Sequence, residues 1–173
     1  AGAAATADTA SMVGAASTAV TYNYDAVAST VSSAAITSAT GKSRNYVNAG
    51  DVVTTTVNFS EAVTVTGTPQ LALNIGGTTV QATYASGSGT SALTFTYTIL
   101  ATQNDANGIS INANALSLNG GTITDKAGNT ATITSTAVTD NASYKVDTTA
   151  PVAPALALAT DSGSSGTDGI TNV

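Results

Sequence analysis

Apolar and polar residues alternate strictly along most of the chain. In DVVTTTVNFS, Val53, Val57 and Phe59 fall on one side while Val52, Thr54, Thr56 and Asn58 fall on the other. LALNI places Leu71, Leu73 and Ile75 together, and SALTFTYTIL sets Leu93, Phe95, Tyr97 and Ile99 against Thr94, Thr96 and Thr98. A period of two is the mark of strands with one face buried and one face in water. The pattern predicts strands over residues 31–38, 51–59, 62–66, 70–75, 78–85, 91–99, 108–112, 121–124 and 141–147. NIGGTTV reads as a hairpin and ASGSGTS as a mobile loop, while NANAL at 112–116 is the one stretch able to make a short helical turn. Seven to nine short strands within roughly 120 residues favour an all-β, Ig-like antiparallel sandwich over a barrel, with extended segments flanking it on both sides.

The closing stretch, STAVTDNASYKVDTTAP at 135–151, has a worn copy upstream, STAVTYNYDAVAST at 17–30. The STAVT pair, the tyrosine-rich segments ending at Asp25 and Asp147, and the apolar runs after each aspartate follow in the same order. Equivalent positions lie roughly 120 residues apart, the length of one sandwich module. Residues 1–30 therefore read as the tail of a preceding repeat or a donated strand. Residues 31–147 read as one module, and 148–173 as a linker with the head of a following repeat.

Composition narrows the chemistry. The 173 residues carry a net charge of −6 with only 8% charged side chains, so the surface is built from Thr, Ser, Asn and Gly. The basic residues Lys42, Arg44, Lys126 and Lys145 are scattered, which leaves no footprint for nucleic acid. Cysteine, histidine and tryptophan are absent, removing disulfides, thiolate metal sites, thiol nucleophiles and the commonest general base together. With 5% aromatic residues the core is aliphatic, Phe59 and Phe95 being its largest fillers. No apolar run reaches the length of a membrane span, and AGAAATADTA lacks the basic and apolar regions of an intact signal peptide.

The segments VNFSEAVTVTGTPQLALNIGG, QNDANGI, ITDKAGN and VDTTAP resemble the bacterial Ig-like repeats of giant surface and biofilm-associated proteins, repeats-in-toxin-type adhesins among them. The likeness covers nearly all of residues 31–151, and APALALATDSGSSGTDGITN resembles the linker and first strand of a second type of adhesin repeat. The resemblance implies an extracellular, non-enzymatic spacer or matrix module, strung end to end with adjacent copies and often binding calcium at the junctions.

Calcium is accordingly the candidate ligand. In NDANG, Asp105 and Asn107 lie two apart before a glycine, so both side-chain oxygens can face one point. The same spacing also makes a plain Asx-turn without metal. Asp147, Asp161 and Asp168 flank the C-terminal junction, where the resemblance implies calcium clamps between modules; a solvated linker is the alternative. Asp125 in TDKAGN reads as a turn-former. For an isopeptide crosslink Glu61 is a conceivable catalyst and Lys145 a conceivable amine, though Glu61 exposed at a strand end and Lys145 solvated is the simpler reading. NFS at 58–60 and NAS at 141–143 match the glycosylation sequon.

Two functions follow from this reading. One is a calcium-stiffened spacer of a secreted surface protein. The other is a self-assembling filament or surface-layer subunit, in which the strand-like residues 1–25 complete a neighbour's sheet.

Overall fold

A computed structural model describes residues 24–155. Ten strands run in chain order: β1 (Val31–Ala39), β2 (Tyr46–Val47), β3 (Val52–Thr66), β4 (Gln70–Ile75), β5 (Thr78–Ser86), β6 (Thr90–Thr98), β7 (Asn104–Asp105), β8 (Leu116–Ser117), β9 (Thr122–Asp125) and β10 (Lys145–Asp147). The large sheet has the order β1-β3-β6-β5-β4-β8, with β9 beside the far half of β3, and a small sheet has the order β2-β10-β7. Strand pairs are antiparallel except β2 with β10. The fold is thus all-β and consistent with a sandwich.

The alternation read from the sequence selects the buried faces. Val53, Val57, Phe59, Leu71, Leu73, Ile75, Leu93, Phe95 and Ile99 all enter one core, which also takes Ile109, Ile111, Ile123 and Val146. Thr55 shares the inward face of β3 and offsets the burial of its hydroxyl by donating to the Phe95 carbonyl at 3.3 Å. The Tyr84 ring meets Phe95 edge-on, with centroids 5.9 Å apart.

Several elements differ from the expected ones. The strands anticipated at 51–59 and 62–66 form one continuous β3, whose pairing with β6 lapses between Asn58 and Val63 before β3 joins β9. The helical turn at 112–116 does not form. Asn114 adopts a left-handed φ of 57°, and the Ala115 carbonyl is taken by the Ala72 N–H, so packing against β4 wins over local propensity. The ASGSGTS loop is a tight hairpin, fixed by Ser88 N–H to the Tyr84 hydroxyl at 2.8 Å and Val65 N–H to the Ser88 hydroxyl at 2.9 Å. Residues 108–112 contribute bridges to Asn74 and Val138 rather than a full strand. The NIGGTTV hairpin turns where expected. Gly76 has a φ of +57° and a Cβ there would stand 2.1 Å from the Asn104 carbonyl, so only glycine fits.

β3 also defines two ends. Its start adjoins Asp51, whose carboxylate accepts the Asn48 N–H at 2.7 Å, and this end, the top, also holds Tyr46, Leu100 and Asp147. Eight residues and about 27 Å further on, Ser60 donates its N–H to Thr30 at the base. Phe95→Ala should destabilise the fold by about 3–5 kcal/mol through the cavity it leaves. Thr96→Ala, on the outward face, should change stability by under about 0.5 kcal/mol. Urea unfolding followed by circular dichroism measures both.

Candidate metal centre

The NDANG loop is tied down by backbone groups. Asp105 is buried in β7, and its two oxygens accept the N–H groups of Gly76 and Gly108, each at 2.8 Å. The Asn107 amide is turned to the Asp140 carboxylate instead. Asp105 and Asn107 thus face different partners, in the Asx-turn arrangement. Asp147, at the end of β10, accepts the Thr149 N–H at 3.0 Å and remains exposed at the rim of a hollow of about 340 Å³. Asp161 and Asp168 lie outside the described residues.

The acidic residues that the structure brings together are others: Asp25, Glu61 and Asp125, with one carboxylate oxygen of each within 4.8 Å of the rest. Local structure explains the meeting. β3 and β9 pair so that Val63 stands opposite Asp125, which leaves Glu61 two residues away along the strand. The Ser60 hydroxyl accepts the Thr30 N–H at 3.1 Å and brings the chain before β1 to the same corner. Asp25 is then fixed by Asn129, whose side-chain amide donates to the Asp25 carbonyl at 3.1 Å and to the Asp125 carboxylate at 2.7 Å. The Asp25 carboxylate accepts the Val27 N–H at 3.0 Å, which sets its direction.

Burial raises the Asp125 pKa, but the Asn129 side chain and the N–H groups of Asn129, Ala127 and Gly128 outweigh it and hold the carboxyl below its ordinary value. Asp125 is therefore the turn-former expected and a charged member of the cluster. A calcium ion takes oxygens at about 2.3–2.6 Å, so opposed ligands of one ion stand about 5 Å apart. The three carboxylates match that spacing and supply only hard oxygen donors.

The isopeptide partners are not brought together. Lys145 extends over the Tyr46 ring at 5.6 Å, and Glu61 keeps company with carboxylates. Of the sequon asparagines, Asn58 donates to the Ser33 hydroxyl within the sheet, and Asn141 caps a turn through Ser143 N–H. The sequence holds one clue to the centre: Asp25 aligns in the repeat with Asp147, a residue of the C-terminal junction. No helix among the described residues is long and apolar enough to cross a membrane. Comparison with protein-family models, curated proteins and solved structures gave no match.

The lowered Asp125 pKa sets the sign of a pH effect. Its contribution to stability is fully present above the ordinary carboxyl value of 3.8 and is lost as the pH falls through the lowered one. In chelator, the stability advantage of the natural chain over Asp125→Asn should hold steady above that pH and shrink below it. An acid titration monitored by denaturant midpoint checks this.

Proposed function

We propose that this chain is a non-enzymatic structural module of a secreted bacterial surface protein. It is one repeat of a tandem array that serves as a spacer in an adhesin or biofilm matrix, with calcium stiffening the joints. The observation carrying this reading is the position of Asp25. That residue ends the upstream copy of the closing-strand sequence, and it is seated on Glu61 and Asp125 at the base of the module. The end of one repeat thus meets the base of the next through three carboxylates, a repulsive grouping that a divalent cation relieves.

The filament reading draws support from Tyr24. It aligns with Val146, yet it is 74% exposed where Val146 is 2% exposed between β2 and β7. An unhoused strand residue of this kind is what donation to a neighbour would use. Against it, the place that such a strand would fill is taken in each copy by the chain's own β10.

At 10 mM calcium, ten to a hundred times the dissociation constant usual for extracellular sites, the chain should gain roughly 1.5–3 kcal/mol, or about 5 °C in Tm. Glu61→Gln and Asp25→Asn should abolish the gain while the metal-free protein stays folded. Calorimetry showing no calcium-dependent shift in the natural chain would remove the ion from the reading. Removal of residues 1–23 separates the two functions, because a spacer keeps its fold and its monomeric scattering profile whereas a strand-donating subunit loses its polymers.

A further inference from the structure

We propose that the hollow at the top of the module is a socket for the Asp125–Asn129 turn of the following copy. The inference rests on the tandem-array reading and extends it to a specific contact between proteins. The repeat fixes the geometry. Tyr22 aligns with Tyr144, Tyr24 with Val146 and Asp25 with Asp147. Asp25 touches the base through Asn129, 3.1 Å from its carbonyl, with Asp125 and Glu61 beside its carboxylate. When a further copy follows, Asp147 takes the place of Asp25, and the turn of that copy comes to Asp147 at the same distances.

Asp147 lines the hollow at the top together with Gly41, Ser43, Tyr46, Asn48 and Thr149. The arriving turn therefore meets this hollow. A small apex suits the hollow, and Lys126 brings a cation to a junction whose carboxylates otherwise repel one another. The turn presents exposed Lys126, Ala127 and Gly128, a small apex beside a cation. Gly41 and Ser43 line the hollow, and Asp147 stands exposed at its rim.

Two further observations point to a partner here. Thr148 Oγ1, beside Asp147, is buried without a hydrogen-bond partner. The exposed large apolar side chains among the described residues are Tyr24 and Val27 at the base, Tyr46 and Leu100 at the top, and Val152 on the segment leaving the top. None of them lies on the broad outward face of the large sheet. Apolar surface confined to the two ends suits copies that abut end to end. The joint then has no slack, since Asp147 belongs to β10 of one copy and to the base of the next.

The test uses two copies joined in the register of the repeat, residues 1–149 followed by 28–173, which keeps Thr148 and Thr149 at the first hollow and lets the Thr149 N–H on Asp147 stand where the Val27 N–H stands on Asp25. Because the natural chain has no cysteine, Ser43→Cys in the first copy and Ala127→Cys in the second form a clean pair. A seated turn should close this disulfide at least about tenfold faster than the control pair, Thr83→Cys with Ala127→Cys, since docking raises the effective concentration above that of a free tether. Equal rates overturn the socket. In the cysteine-free tandem protein, Tyr46→Ala in the first copy should raise protease cleavage at the joint, between Asp147 of the first copy and Thr30 of the second, by about tenfold, as cleavage follows the population of the open joint. Unchanged cleavage likewise counts against docking. Running both measurements in calcium and in chelator separates this inference from the ion. Fast closure in chelator keeps the socket without calcium, and calcium stabilisation with equal closure rates keeps the ion and removes the socket.

Discussion

The structure depends on β3 more than on any other element. This strand of 15 residues pairs with β1, β6 and β9, so it is the spine of the large sheet and the link from the top of the module to its base. Its inward side, Val53, Thr55, Val57, Phe59 and Val63, is buried throughout. A core with so few aromatic residues gains little from any one side chain, and continuity along β3 lets many small contributions add. Thr55 in this row shows how far continuity governs composition. A hydroxyl is tolerated in the core because a carbonyl of β6 lies within reach.

The lapse in pairing between Asn58 and Val63 gives β3 its second role. Before the lapse the strand serves β1 and β6; after it, β9 on one side and Thr90 of β6 on the other. The residues in between are free of the β6 ladder, and Glu61, the only glutamate of the chain, lies among them. The Asp125–Asn129 turn is the other half of the base. Gly128 takes a φ of +93° that lets the chain reverse, and the N–H groups so exposed converge on the Asp125 carboxylate. A turn that holds a carboxylate ionised at a module's end is a rigid acidic surface, and Asn129 extends it by gripping the chain that arrives from upstream.

The legibility of these features in the sequence follows their physical origin. Strands such as β4 and β6 were readable because one buried face and one wet face impose a two-residue period on the side chains. The Gly76–Gly77 turn was readable because a tight hairpin needs residues that accept positive φ. The two-residue strands β2, β7 and β8 were not, since two residues carry no period and owe their pairing to distant partners. NANAL misled for the opposite reason. Its local preference for helix is real, but the Ala72 N–H required an acceptor and the Ala115 carbonyl met that need. Asp105 and Asn107 have the spacing of ligands and of an Asx-turn alike, and the Gly76 and Gly108 N–H groups that occupy the Asp105 carboxylate come partly from a distant hairpin that the spacing does not reveal.

The grouping of Asp25, Glu61 and Asp125 is not legible in the sequence for a deeper reason. They stand 36 and 64 residues apart in the chain, and no local motif joins them. More importantly, the repeat assigns them to different units. Asp25 ends the stretch that resembles the closing sequence at 135–147, which the proposed reading gives to an upstream repeat, whereas Glu61 and Asp125 lie within the β-sheet fold described above. A motif search within one repeat sees a lone terminal aspartate, a lone glutamate at a strand irregularity and a turn aspartate, each with an ordinary structural explanation. Their grouping exists only across the boundary. In the tandem array proposed above, such a joint would form only when successive repeats are in register, so the order of the array would itself be a condition for its rigidity.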